Sequence, residues 1–150
     1  MAAVKSLVGE KILIQIGDGA TPTEGFAHDC LINAERGVQM GAETTEIIVP
    51  DCDDPSLPAW KEIFKDGMSI QVSGGGVLHS TSIEAWFNWL KADTAKNVRI
   101  KFDTTGALGG GYISVPMKLT SFNITGARKN NSTSEVTLMS HGPATWTDAA

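Results

Sequence analysis

The chain alternates apolar and polar residues along most of its length. In EKILIQIGDG, Ile12, Ile14 and Ile16 fall on one face, with Lys11, Leu13 and Gln15 on the other. The run ends in Gly-Asp-Gly, which predicts a strand closed by a turn. GFAHDCLINAE alternates again and sets Phe26, His28, Cys30 and Ile32 on one face. GVQMGAETTEIIVP predicts a third strand, with Val38 and Met40 at one end and Ile47 and Val49 at the other. MSIQVSGGGVLHS opposes Met68, Ile70 and Val72 to Ser69, Gln71 and Ser73. VRIKFDTTG opposes Val98, Ile100 and Phe102 to Arg99, Lys101 and Asp103. YISVPMKLTSFNITGA places Ile113, Val115, Met117 and Leu119 on one face, then shifts its apolar parity to Phe122 and Ile124. Such a shift is the mark of a β-bulge. SEVTLMSHG closes the series with Val136 and Leu138. Seven strands and no internal repeat are expected.

The alternation breaks twice. PDCDDPSLPAWKEIFKDG holds three of the six prolines. Proline cannot donate to a β-ladder, so a long polar loop is expected across 50–67, with a short helical turn at Trp60–Lys65. The second break is TSIEAWFNWLKADTAKN, which predicts the chain's one helix, over about 81–96. Thr81 with Glu84 three residues on has the form of a capping box. Ile83, Trp86, Phe87 and Leu90 fall on one stripe and are expected to pack on the strands. Trp89 lies off that stripe and has two readings: half-buried at the helix margin, or part of an interface. The fold class is mainly β, a β-sandwich or partly closed barrel with one flanking helix and a long inter-strand loop. The 150 residues suffice for a single domain.

Charge narrows the function classes. The net charge of −5 argues against a protein that grips phosphates through many cations. Two cysteines, Cys30 and Cys52, do not make a disulfide scaffold, and whether they pair stays open. The N-terminal residues do not read as a signal peptide, because Glu10 and Lys11 interrupt them early. No apolar run approaches the ~20 residues that span a bilayer, so no membrane partner and synthesis in the cytoplasm are expected. The sequons at Asn123, Asn130 and Asn131 carry no weight without secretion.

Candidate chemistry is sparse. His28, His79 and His141 show no metal-ligand spacing. His28 and Cys30 share a strand face, and ordinary strand residues explain them. DCDDP is acidic but lacks the glycine and terminal glutamate of an EF-hand loop. The glycine runs at 74–76 and 109–111 lack the lysine and following helix of a phosphate cradle. No nucleophile or metalloprotease motif is present, and no enzyme activity, cofactor or metal is expected.

Two pieces carry a resemblance: VSGGGV running into the helix, and LTSFNITGARKNNSTSEVTLMSHG. With the order of strands, they make residues 10–145 resemble the tail tube (major tail) proteins of long-tailed phages and gene transfer agents. The resemblance implies a virion structural subunit that forms stacked hexameric rings through which DNA passes. Its partners are then other copies of itself, the tape measure, the tail terminator and the tail tip. It also implies that the 43–67 loop contacts the next ring, with Glu43, Glu46, Asp51, Asp53, Asp54, Trp60 and Phe64 as contact residues. A lumen that passes DNA without binding it should be neutral or negative, with Arg99 and Lys101 offset by Asp103 if that strand faces inward. Two other readings are a terminator or tail-tip subunit of the same fold, and a ligand-binding β-sandwich module.

Overall fold

A computed structural model describes residues 3–19, 23–29 and 31–149. Its strands are β1 (Ile12–Gly17), β2 (Phe26–His28), β3 (Glu35–Val49), β4 (Trp60–Val77), β5 (Lys96–Phe102), β6 (Gly111–Thr125), β7 (Thr133–Ser140) and β8 (Thr145–Asp148). One α-helix, α1 (Ile83–Lys91), lies between β4 and β5. The strands form one antiparallel sheet in the order β2-β1-β5-β6-β7-β4-β3, and β8 adds to the start of β6.

The sheet bends over its own apolar face without closing, which gives a mainly β, sandwich-like fold. Ile14, Val72, Val98, Ile100, Val115, Met117 and Leu138 are fully buried in a core shared by five strands. These residues come from the alternating positions read in the sequence. Near the open seam, Arg36 on β3 reaches toward β1. Its Nη1 donates to the carbonyls of Ile12 (2.9 Å) and Gly9 (3.2 Å). The parity shift in β6 is a true irregularity: Leu119 pairs with Leu138 and Ser121 with Thr137, which leaves Thr120 unpaired across the ladder.

Four expectations need correction. First, 43–67 is not a loop, and Trp60–Lys65 is not helical. β3 and β4 pair continuously from Glu35↔Gly75 to Val49↔Trp60, so only 50–59 connects them. The cause is visible in hindsight. Thr44, Thr45, Ile47, Ile48 and Val49 are β-branched, Val49 pairs with Trp60 and Thr45 with Phe64, and all three prolines sit in the connection.

Second, the helix ends at Lys91 rather than near residue 96, and its capping box does not form. Thr81 Oγ1 pairs with His79 Nε2 instead, and the Ser82 hydroxyl at the N-cap donates to Asp29 (3.1 Å). Third, the buried stripe is rotated. Trp86 (2% exposed) and Trp89 (4%) are buried, Ile83 is half-buried, and Phe87 (51%) and Leu90 are exposed. Trp89 can be buried because its indole N–H donates to the Thr94 carbonyl (3.1 Å), which removes the penalty of an unpaired polar atom. The two indoles stack at 5.4 Å, and Trp86 meets Phe122 of β6 at 6.4 Å.

Fourth, GFAHDCLINAE is a strand only over Phe26–His28. The chain then turns so that Leu31 and Ile32 enter the core. The His28 ring ties this turn down, with Nε2 2.8 Å from the Ile32 carbonyl and Nδ1 3.1 Å from the backbone of Ile14. β8 is an eighth strand that four residues, TWTD, gave too little alternation to predict. Cys52 is an exposed free thiol. Cys30, the other member of the pairing question, lies outside the described residues.

Candidate assembly surface

The sheet divides into three surfaces. The first is the far half of the β3–β4 hairpin. β4 pairs with β7 only from Gln71 onward, so residues 40–49 and 60–70 have no strand partners but each other. This ribbon of ten residue pairs projects about 30 Å beyond its last neighbour. It carries apolar side chains on both faces. Val49, Trp60, Ile47 and Phe64 share one face, and Ile48, Ile63, Met68 and Met40 the other. All are exposed, Trp60 by 86% and Met68 by 83%. A two-stranded ribbon with both faces wet is marginal by itself. A register shift at Glu43/Thr44 leaves Asp66 unpaired in the ladder, and the Thr45 hydroxyl donates to its carboxylate.

All seven residues assigned to assembly lie on this ribbon or on the connection at its tip. Glu46 accepts from Lys61 across the strands (3.3 Å). Asp51 and Asp54 spend carboxylate oxygens on the loop itself, accepting from the amides of Asp53 (2.9 Å) and Ser56 (3.2 Å). Trp60 and Phe64 lie on one face, both exposed.

The second surface is the polar side of β3, β4, β7 and the end of β6. Cross-strand rows here read Gln39, Gln71, Met139 and then Gly37, Ser73, Thr137, Ser121. A third row adds Glu35, Gly75, Glu135 and Asn123. Hydroxyls, amides and two carboxylates dominate these rows. The nearest cation is Lys118, opposite Met139, and it is already paired with Asp93 at 2.6 Å. That hydrogen bond, together with the lysine's charge, holds the Asp93 carboxyl below the usual carboxylate range.

The third surface is the polar side of β1, β5 and the start of β6. Arg99 is not free there. Its guanidinium carbon lies 3.8 Å from the centre of the Phe26 ring and 4.6 Å from that of Tyr112, a cation clamped between two aromatic faces. Lys101 stands half-buried across from Tyr112 and Leu13. Asp103 is exposed past the end of β5, and its amide donates to the Lys11 carbonyl.

Among the described residues, no group of His, Cys, Asp or Glu has the geometry to hold a metal ion. A groove of about 690 Å³ runs beside β3 and β4, lined by Glu10, Arg36, Gly74 and Glu135 among others. It has no aromatic ring in its lining, unlike a typical small-molecule site. Among the described residues, no helix is long and apolar enough to cross a membrane.

Residues 7–145 match the sequence profile of the family described as phage tail tube protein. Among solved structures, a chain of a native gene transfer agent virion is 17% identical with a TM-score of 0.73, covering 95% of this chain and 99% of that one. A chain of an empty gene transfer agent tail, refined with C6 helical symmetry, is 18% identical with a TM-score of 0.71, covering 95% and 99%. A chain of the tube-terminating cap of an anti-feeding prophage is 12% identical with a TM-score of 0.62, covering 99% and 95%. No curated protein sequence is significantly similar.

Proposed function

Because the chain belongs to the phage tail tube protein family and is a structural subunit of a virion tail, we propose that it assembles into stacked hexameric rings that conduct DNA. The observation that carries this reading is the ribbon. An element about 30 Å long, apolar on both faces, has no use in an isolated subunit and needs other copies to cover it. A contact residue on each face suits a ribbon wedged between two neighbours. Trp60 and Phe64 anchor one side, as aromatics tend to do at interfaces. The sixfold symmetry of the similar gene transfer agent tail supports rings of six.

The polar side of β3, β4, β7 and β6 lines the lumen in this reading. Its hydroxyls, amides and carboxylates offer DNA no row of free cations, so no counterions are released and the strand is not held. In this reading Arg99 and Lys101, on the polar side of β1, β5 and the start of β6, stay outside the lumen. There Arg99 serves as a structural clamp between Phe26 and Tyr112. The tape measure, terminator and tail tip are the further partners such a tube requires.

Negative-stain microscopy of the concentrated protein is the test. Rings and tubes are expected, and small monodisperse particles would overturn the assembly. An assembled-tube structure then tests the passage: a lumen of net positive charge would sink the account of transit and leave the tube standing. The likeness to a terminating cap favours a second reading, a subunit that ends a tube. It predicts single rings that never stack.

A further inference from the structure

The acidic charge of this chain is concentrated at one end. Residues 43–67 hold seven carboxylates and two lysines, a formal −5, which equals the net charge of all 150 residues. The rest of the chain is therefore neutral. One of the two lysines is already engaged, Lys61 with Glu46. A ribbon that must bury its apolar faces against another copy also brings this charge with it, and its receiving surface has to be basic.

We propose that the ribbon of one copy docks on the β6–β7 turn of another copy, where Arg128 and Lys129 receive its carboxylates. This rests on the tail tube reading above and names the partner surface within it. Arg128 and Lys129 are the chain's only consecutive cations, in the segment GARKNNS, which has no carboxylate. Both are exposed, and neither has a hydrogen bond or ion pair among the described residues. Lys129 adopts φ 67°, the left-handed region that a lysine visits at some cost, at the tip of the turn.

Outside the ribbon, five of the other cations are engaged, and Lys5, Lys11 and Lys101 are single charges with no cation next to them in the sequence. Lys118 pairs with Asp93, Arg36 donates to two carbonyls, and Arg99 is clamped by rings. Lys91 lies over Phe87, and Lys96 over Trp89.

Topology makes the contact intermolecular. β4 starts at the ribbon tip with Trp60 and ends at Val77, and the next residue, Leu78, donates its amide to Ser132 in the turn (2.9 Å). Tip and turn are thus separated by the whole of β4, about 55 Å of strand. One copy cannot satisfy its own charges. A contact between opposite ends of identical subunits is heterologous and open-ended, so it extends a stack instead of closing a dimer. Glu35 and Glu135 stand on the polar side behind the turn. They repel carboxylates that slide past the two cations, and so limit how far the ribbon advances.

Charge reversal tests the pairing in the full chain, with the assembly threshold read by light scattering and microscopy. Arg128→Glu with Lys129→Glu, or Asp51→Lys with Asp53→Lys and Asp54→Lys, should each raise the threshold at least about tenfold. All five substitutions in one chain should bring it back to within about threefold of the original, because every contact is again between opposite charges. Thermal unfolding of the free subunit should move little, since all five positions are exposed and the loop hydrogen bonds of Asp51 and Asp54 lie at the ribbon tip, away from the core. If the reversed turn lowers the unfolding temperature, Arg128→Ala with Lys129→Ala replaces it, and an unchanged threshold there overturns the proposal. Failure of the five-fold variant to recover also overturns it. If turn variants assemble normally while ribbon deletion abolishes tubes, the ribbon docks elsewhere and the tail tube reading survives. If the unmodified protein forms no tubes at all, it is that reading which has failed.

Discussion

The core half of the sheet and the β3–β4 ribbon use the same secondary structure to opposite ends. In the core half, Ile14, Val98, Ile100 and Leu138 are fully buried, and Trp86 and Trp89 cap them from the helix. In the ribbon, Trp60, Ile63, Phe64 and Met68 of similar size stand in water. The backbone ladder is continuous between the two. The difference shows that a strand's hydrogen bonds do not decide where stability resides. Stability resides where side chains find cover, and within the subunit the ribbon's side chains find little.

The largest expected effect separates the halves completely. Removing residues 51–58 and changing Trp60→Ala should abolish tube formation while the subunit still folds with an unchanged far-ultraviolet spectrum. Tubes of normal length and stability would show that the ribbon is not the stacking element. Next, Trp86→Ala should cost roughly 3–5 kcal/mol in denaturant unfolding of the free subunit, because it empties a buried aromatic site. Trp60→Ala alone, on the same measurement, should fall within about 0.5 kcal/mol. If the two tryptophans cost the same, the contrast between the halves is wrong.

Amide exchange sharpens the picture further. Residues 44–48 and 61–65 should exchange quickly in the free subunit and become protected in the assembly, whereas 98–100 and 136–138 should be protected in both. The smallest effect is a titration. The folded Asp93 carboxyl is depressed by Lys118, so the stability this pair contributes is present above the ordinary carboxylate pKa and lost as pH falls through the depressed one. Lys118→Met should return the Asp93 titration, followed by NMR, to the ordinary carboxylate value.

The sequence was legible wherever one side of a strand was buried. Alternation located β1, β5, β6 and β7, and even the irregularity at Thr120, because a buried face forces apolar residues onto one parity. It failed on the β4 half of the ribbon, over 60–67, for the same reason. Both of its faces carry apolar and charged residues together, as at Ile47↔Glu62 and Ile48↔Lys61, so period two disappears although the strands remain. The helix stripe failed more subtly. Spacing alone favoured Phe87 and Leu90, and the choice of Trp89 instead depended on a carbonyl at Thr94 that no periodicity reveals. The clamp around Arg99 was equally hidden, since Phe26 and Tyr112 are brought to it by strands distant in sequence.

The ribbon also has a consequence in time. Its turn joins residues only about ten apart, and hairpins of that kind close in roughly 1–10 μs. β1, by contrast, must wait for β5, which pairs Ile12 with Phe102 across most of the chain, and such non-local pairing is slow. A newly made chain therefore displays its stickiest segment before it has a core. A ribbon rich in Ile, Val, Phe and Trp with a free edge is the kind of segment that nucleates aggregates. The seven carboxylates threaded through residues 43–67 act on that hazard first, as gatekeepers that make early ribbons repel one another. In the proposed docking the same charge sets an order of events: repulsion while only ribbons exist, attraction once a folded neighbour presents its turn.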